Sequence, residues 1–319
     1  MSALLPLFWI VVGLVLIWFG SELVIKGANN YATRHGWSKS FISLTLLSFC
    51  SNLPELTITA SGVLKQYQGQ DMSALIFGNI IGSNISQITL VLGIAGLIAK
   101  LKTSRKEMVG VGAFLGVSTW LLWFAAQDGR ISQSEGGALL VIYVVFLLSL
   151  PRILAVKTTR SKLKGIFVKK SFLTLFQVVA GLVVMSLTSQ LILNNATLLA
   201  DQLGISQSIV AIFIIGLGTS LPELFVTLQA IKKRSVDLSV GTILGSNIVG
   251  SSLALGGSAL FFGWPVDRAV ASFDLSFLFF ITIVVTLFLI TRSRLERKEA
   301  NLMLWLYVIY CVLKLLGFR

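Results

Sequence analysis

The sequence predicts an all-α polytopic membrane protein: ten transmembrane helices in two five-helix halves of opposite topology, with broken helices at the membrane midplane. Three observations predict it. Apolar segments long enough to cross a bilayer recur from end to end, basic residues gather in every second loop, and the stretch Leu53-Pro54-Glu55 is written again as Leu221-Pro222-Glu223. Composition agrees, because 55% of the 319 residues are hydrophobic, only 12% are charged, and the mean hydropathy is +0.88. A soluble domain of this length is not so apolar. In this setting the net charge of +13 belongs to loops at a membrane surface and does not point to a nucleic-acid partner.

The candidate spans are roughly 4–25, 40–64, 72–99, 108–126, 134–150, 171–199, 207–231, 239–262, 274–291 and 301–316, each near the ~17 to 25 residues that cross the hydrocarbon core, the last being short. The first follows Met1-Ser2-Ala3 with no basic residue before it, has no small-residue cleavage site and is followed by Lys26, so it reads as a retained span and not a signal peptide. Cys50 and Cys311 fall in different spans and are expected to be small core residues, not a disulfide; His35 is expected to be a solvated loop residue.

The loops test the count. With the N-terminus outside, the inside loops hold Lys26, Arg34 and Lys39, then Lys100 to Lys106, Arg152 to Lys170, Lys232 to Arg234, and Arg292 to Lys298. Of the 26 basic residues only Lys65, Arg130, Arg268, Lys314 and Arg319 fall outside. An error of one span would scramble this alternation, so it supports both ten spans and an N-out, C-out orientation. The expected location is the cell (inner) membrane, with the lipid bilayer as partner. Nothing in the sequence demands a partner chain, and a monomer is expected.

The repeat reaches well beyond the acid. At an offset of 168, Ala28, Ala32, Gly36, Ser38, Ser40, Leu56 and Thr59 recur as Ala196, Ala200, Gly204, Ser206, Ser208, Leu224 and Thr227. Further on, at 163, Gly78, Gly82-Ser83-Asn84-Ile85 and Leu92-Gly93 recur as Gly241, Gly245-Ser246-Asn247-Ile248 and Leu255-Gly256. The chain therefore divides into a first half, 1–150 (repeat motif 36–97), a basic cytoplasmic linker, 151–170, and a second half, 171–319 (repeat motif 204–260). Five spans per half is an odd number, so the second half enters the membrane from the opposite side and its motifs face those of the first, as in inverted-repeat transporters.

The residue types within the repeat carry the chemistry. An isolated carboxylate at membrane depth costs about 2.5 to 3.5 kcal/mol and is kept where it has a task. Of the 13 acids only Glu55 and Glu223 sit deep inside spans, each beside a proline, each followed by Gly-Ser-Asn; Glu22, Asp274 and the others lie near span ends, where a solvated or snorkelling role is expected. Pro54 and Pro222 break or kink their helices, and such a break frees carbonyls, those of Ser48, Cys50, Gly216 and Gly218 here, to line a cavity. Glu55, Ser51, Asn52, Ser83 and Asn84 from one half and Glu223, Thr219, Ser220, Ser246 and Asn247 from the other supply the oxygens a hard cation takes. No cluster of Cys and His points to a transition metal. Gly78 to Gly82 and Gly241 to Gly245 are also Gly-x-x-x-Gly patterns, which serve helix packing.

The Leu-Pro-Glu and Gly-Ser-Asn-Ile pairs, found in order across the whole chain, resemble the two alpha repeats of the calcium/cation antiporter superfamily, and most closely its prokaryotic sodium/calcium exchanger branch. The Gly-Asn-Ala/Pro-x-Glu core usual in the proton-coupled branch is absent. The resemblance implies calcium and sodium as transported ions, no cofactor, Glu55 and Glu223 as central ligands, and Ser51, Thr219, Ser220, Ser83 and Ser246 around them. The carbonyls of Ser48 and Gly216 would complete the sodium sites.

The sequence leaves the family pattern at three places. The Gly-Thr-Ser before Leu-Pro-Glu is intact at Gly218-Thr219-Ser220 but reads Cys50-Ser51-Asn52 in the first half. Where the family has Asn or Asp four residues after the serine, this chain has Gln87 and Gly250, so a coupling closer to electroneutral is expected, and Gly250→Asp is expected to strengthen sodium dependence. The segment from Pro151 to Lys170 is too short for the regulatory calcium-binding domains of animal exchangers. The reading is thus an antiporter exchanging calcium or a related divalent cation for sodium by alternating access. A proton-coupled divalent antiporter is the nearest alternative, and an uncoupled cation channel a more distant one. An enzyme is not expected, since the spans hold no paired-aspartate, Ser-His or aspartate-rich metal motif.

Overall fold

The structure, a computed structural model, describes residues 4–35, 37–154, 167–202, 218 and 220–317. These are almost wholly helical, as lipid requires of a chain whose backbone N–H and C=O groups must find partners within their own segment. In order the helices are α1 (Leu4–His35), α2 (Lys39–Ser51), α3 (Leu53–Tyr67), α4 (Ser73–Ile98), α5 (Arg105–Ala125), α6 (Gln133–Ile153), α7 (Phe167–Gln202), α8 (Leu221–Lys232), α9 (Val236–Phe261), α10 (Val270–Thr291) and α11 (Arg297–Leu315). Among the described residues seven helices are long and apolar enough to cross a membrane, and the bent pair α2–α3 makes eight. α8 holds only the later part of the expected span 207–231, whose beginning lies outside the described residues. α11 lies over the tenth expected span but, with Arg297, Lys298 and Glu299 in its first turn, is not among the seven.

The expected break is present, and its form is specific. α2 and α3 meet at 46° across Asn52, which takes φ −83° and ψ 7°. Those angles lie in the sparsely populated bridge between helical and extended backbone. Pro54 then falls in the first turn of α3, where a missing N–H costs nothing, so the proline opens a new helix and does not distort an old one. Ser220 repeats the arrangement ahead of α8, with φ −93°, ψ 4° and Pro222 in the first turn. Three π-helical turns lie close by, at Ser43–Leu47 just before Ser48, and at Gln87–Val91 and Val249–Leu255, each directly after or one residue past a Gly-Ser-Asn-Ile segment. Such turns often mark functional positions.

Two short antiparallel pairings tie loops together. β1 (Leu101–Lys102) joins the α4–α5 loop to β4 (Arg294–Leu295) in the α10–α11 loop, and β2 (Arg130–Ile131) joins the α5–α6 loop to β3 (Trp264–Pro265) in the α9–α10 loop.

Apolar packing falls into two clusters. The larger gathers residues such as Ile80 and Ile85 of α4, Leu115 of α5, Leu139 of α6, Ile243 of α9 and Ile281 of α10; the smaller joins Ile17 and Val24 of α1 to Val178 and Met185 of α7 and Val226 of α8. α2 stands between them, with Leu44 in the larger and Ile42, Leu47 and Cys50 in the smaller. α1 and α7 approach backbone to backbone: a Cβ on Gly181 would lie 3.2 Å from the Gly20 carbonyl, and one on Gly20 3.4 Å from the Gly181 carbonyl. Lipid supplies no hydrophobic drive between helices, so close contact through small residues takes its place. Phe8, Trp9, Val141, Leu148, Trp305 and Val308 are exposed on the outer surface, as lipid-facing side chains are.

Cys50 and Cys311 are both buried and unbridged, as expected. Asp274 and Glu299 are not the solvated span-end acids the sequence suggested. Asp274 is buried and accepts from Tyr310 Oη at 2.9 Å and Lys314 Nζ at 2.7 Å, while Glu299 is buried against Arg292. A long helix brought alongside another carries its own counter-charge, which local position in the sequence does not reveal. Glu22 does reach a surface partner, pairing with Lys233 at 2.7 Å.

Candidate cation site

Glu55 and Glu223 each lie in the first turn of a helix, α3 and α8, with 1% and 0% of their surface exposed. Neither oxygen of either carboxylate meets a hydrogen-bond donor among the described residues. The two acids are close enough to feel each other's charge, and the Ser51 side chain stands beside Glu223. Helix N-termini direct partial positive charge at both, but that falls short of the several kcal/mol that an unpaired buried ion costs. A cation between them would supply the difference.

The asparagines are turned the same way, and hydrogen bonding fixes which atom faces in. Asn52 donates through Nδ2 to the Ser48 carbonyl at 2.7 Å, and Asn247 to the Ile243 carbonyl at 2.9 Å. A carbonyl accepts only, so the atom it meets is the amide nitrogen. Asn84 donates through Nδ2 to Ser251 Oγ at 3.0 Å and, more weakly, to the Asn247 carbonyl at 3.5 Å. Oδ1 of Asn52, Asn84 and Asn247 is then left buried with no partner among the described residues. Anchored nitrogens and unpartnered oxygens, added to two carboxylates, make a set of hard acceptors. That is the environment of an alkali or alkaline-earth cation. Among the described residues no group of three or more His, Cys, Asp or Glu forms.

Side chains from the two repeats meet directly. Ser51 and Ser246 share a hydrogen bond of 3.1 Å, Ser86 and Ser220 one of 2.5 Å, and Asn247 Nδ2 donates to Gln87 Oε1 at 2.9 Å. The structure thereby brings together Glu55, Glu223, Ser51, Asn52, Ser220, Asn84, Asn247, Ser246 and Gln87 from the expected set. Ser83 is buried beside them, its hydroxyl bonded to the Ile80 carbonyl at 3.0 Å. The Ser48 carbonyl accepts from the Asn52 amide, which uses one of its two lone pairs. Gln87 Oε1 likewise accepts from Asn247, with its other lone pair left over. Thr219 and Gly216 lie outside the described residues.

Several residues of the site were not singled out from sequence. Thr59 and Thr227 follow the two acids by four positions, on the same helix face, and each hydroxyl is buried without a partner among the described residues. Their recurrence at the 168 offset was the available signal. Ser251 and Ser86 hold Asn84 and Ser220, and Ser189 of α7 donates to the Gly218 carbonyl just ahead of α8. These last carry no mark in the sequence.

The model of the sodium/calcium exchanger protein family matches residues 5–150 and 173–316. Relatives include a putative antiporter, CaxA, of Alkalimonas amylolytica, 27% identical over 95% of this chain and 96% of the relative, and the sodium/calcium exchanger MaX1 of Methanosarcina acetivorans, 24% identical over 95% and 96%. The inner membrane protein YrbG of Escherichia coli is 26% identical over 94% of this chain and 95% of its own length. Among solved structures, the sodium-calcium exchanger NCX_Mj superposes over 100% of both chains with a TM-score of 0.80 at 25% identity. The chain belongs to the sodium/calcium exchanger family, and is a multi-pass membrane protein that works by cation antiport and not as an enzyme.

Proposed function

We propose that this chain exchanges calcium, or a related divalent cation, for sodium by alternating access, and that both ions occupy the cavity between Glu55 and Glu223. The carrying observation is the pair of buried carboxylates whose four oxygens have no donor among the described residues. Asn52, Asn84 and Asn247 complete the ligand set through Oδ1, with Ser51, Ser83, Ser220, Ser246, Thr219 and the Gly216 carbonyl around them. Two carboxylates neutralise one divalent cation, and the neutral oxygens let it leave again. The relatives agree in kind: MaX1 is a sodium/calcium exchanger, and NCX_Mj was solved after soaking with sodium and strontium and with sodium and calcium.

The architecture that goes with this reading is ten spans in two inverted halves, 1–150 and 171–319, joined by the basic segment 151–170, with both termini outside. Three features support it. The family match itself falls into two stretches, 5–150 and 173–316. β1 with β4 and β2 with β3 join loops separated by six and by four of the ten spans, and an even number keeps paired loops on one side. The breaks at Asn52 and Ser220 have the same backbone geometry at equivalent places.

Isotope uptake into proteoliposomes, with sodium, potassium and proton gradients imposed in turn, tests the proposal. Calcium uptake driven by an outward sodium gradient is expected. Uptake driven by a proton gradient alone would replace sodium by protons as the coupling ion, and flux independent of any counter-ion would make the protein a channel.

A further inference from the structure

The repeat sets Gln87 opposite Gly250, and the structure gives the two positions different work. Gln87 is fully buried, its Oε1 is held by Asn247 at 2.9 Å, and the NH2 group on the other side of the amide meets no acceptor among the described residues. Gly250 offers Asn84 nothing. Asn84 turns instead to Ser251, and a Cβ on residue 250 would lie 2.9 Å from Asn84 Oδ1 and 3.2 Å from a methyl of Ile80. Asn84 has moved into the space that a side chain at 250 would need. Gly250→Asp would therefore have to shift the Asn84 amide as it added its carboxylate.

A buried amide NH2 has two polar hydrogens and no free lone pair. The hydrogen bond sets the Gln87 amide against that of Asn247, so this NH2 adds a donor next to a residue of the site, and a donor opposes a cation that an acceptor would bind. The formal charge of the cavity is two negative, from Glu55 and Glu223. A third monovalent cation would leave it positive in a low dielectric, with one lone pair of Gln87 Oε1 already given to Asn247 and no side chain at residue 250 to compensate.

We propose that Gln87 is a specificity-determining residue that removes one monovalent-cation position, so that the cavity alternates between one divalent and two monovalent cations and moves no net charge per cycle. This rests on the exchange reading above. The first step is therefore to show sodium-driven calcium uptake with the membrane potential clamped at zero. Its absence would sink that reading and this one with it, whereas its presence leaves the charge moved per cycle to be decided by the measurements that follow.

The test then imposes a tenfold potassium gradient with valinomycin. An exchanger moving one net charge shifts its steady-state calcium ratio by about tenfold under that gradient. The unmutated protein is expected to show no shift, and to release two sodium ions per calcium in paired isotope counts; a tenfold shift or a ratio of three overturns the proposal. Gln87→Glu keeps an oxygen for Asn247 and replaces the donor by an acceptor, and it is expected to raise the ratio above two and bring in the response to potential. Where that variant does not fold, Gln87→Asp, which carries the same charge on a shorter side chain, is expected to raise the ratio too. A ratio that stays at two in every folded Gln87 variant overturns the assignment to this residue.

Discussion

Glu55→Gln and Glu223→Gln are expected to abolish calcium exchange while leaving the protein folded, because neither carboxylate meets a donor among the described residues and neutralising one relieves a desolvation cost. Thermal unfolding followed with and without calcium checks it. Saturating calcium, at about 100 times its dissociation constant, stabilises the unmutated protein by about 2.7 kcal/mol, and both variants should lose that increment without losing basal stability. Wild-type exchange in either would remove the acids from the site. Thr59→Val and Thr227→Val are expected to separate two roles in the same assay. A hydroxyl with no partner among the described residues gives up no internal hydrogen bond when replaced by a methyl, so stability should hold, while calcium affinity falls severalfold for whichever hydroxyl binds the ion. At this scale the sequence told much through duplication. Glu55, Asn84 and their counterparts were legible since each costly residue was written twice. What it did not tell is which atom of an amide is already engaged. That Gln87 Oε1 accepts from Asn247, and the Ser48 carbonyl from Asn52, is visible only in the structure.

Helix positions followed from apolar length, and the break followed from proline at 54, where an N–H is missing. The π turns at Gln87 and Val249 were not legible, because a π turn adds one residue to a helix whose composition is unchanged and is fixed by what packs across it. Pairing between helices was equally hidden. Tyr310 and Lys314 lie 36 and 40 positions from Asp274 and meet it only when α10 and α11 lie side by side. That meeting makes a prediction for the element. Lys314 is the cationic partner of a buried carboxylate, so Lys314→Met leaves the charge of Asp274 with only the Tyr310 hydroxyl, and should cost about 2 to 3 kcal/mol. Asp274→Asn keeps a weaker pair of hydrogen bonds and should cost less. Both lie where the start of α10 meets the end of α11 and not at the cation site, so exchange by the folded fraction should persist. A scan of unfolding in detergent, with uptake normalised to folded protein, would show an error in this assignment as loss of transport without loss of stability.

For the whole molecule the strongest constraint is the sidedness of charge. Basic residues are concentrated in the α4–α5 loop, the segment 151–170, the α8–α9 turn and the α10–α11 loop, and the energetic cost of carrying such loops across a membrane sets the orientation. β1 paired with β4 places Lys102 beside Arg294 on one surface, and β2 paired with β3 places Arg130 beside Pro265 on another. The inverted-repeat reading makes the first surface cytoplasmic and the second external. The native cysteines do not interfere, since Cys50 and Cys311 are both buried. A cysteine introduced at Arg130 or at Asp267 should then react with an impermeant maleimide added to intact cells, whereas one at Lys102 or within 160–170 should react only after the membrane is opened. The 160–170 probe tests the linker and the Lys102 probe the paired loops, so each half is read independently. Reaction of the Arg130 and Lys102 probes from the same side would mean that an odd number of spans does not separate them, and the opposed topology of the two halves would have to be given up.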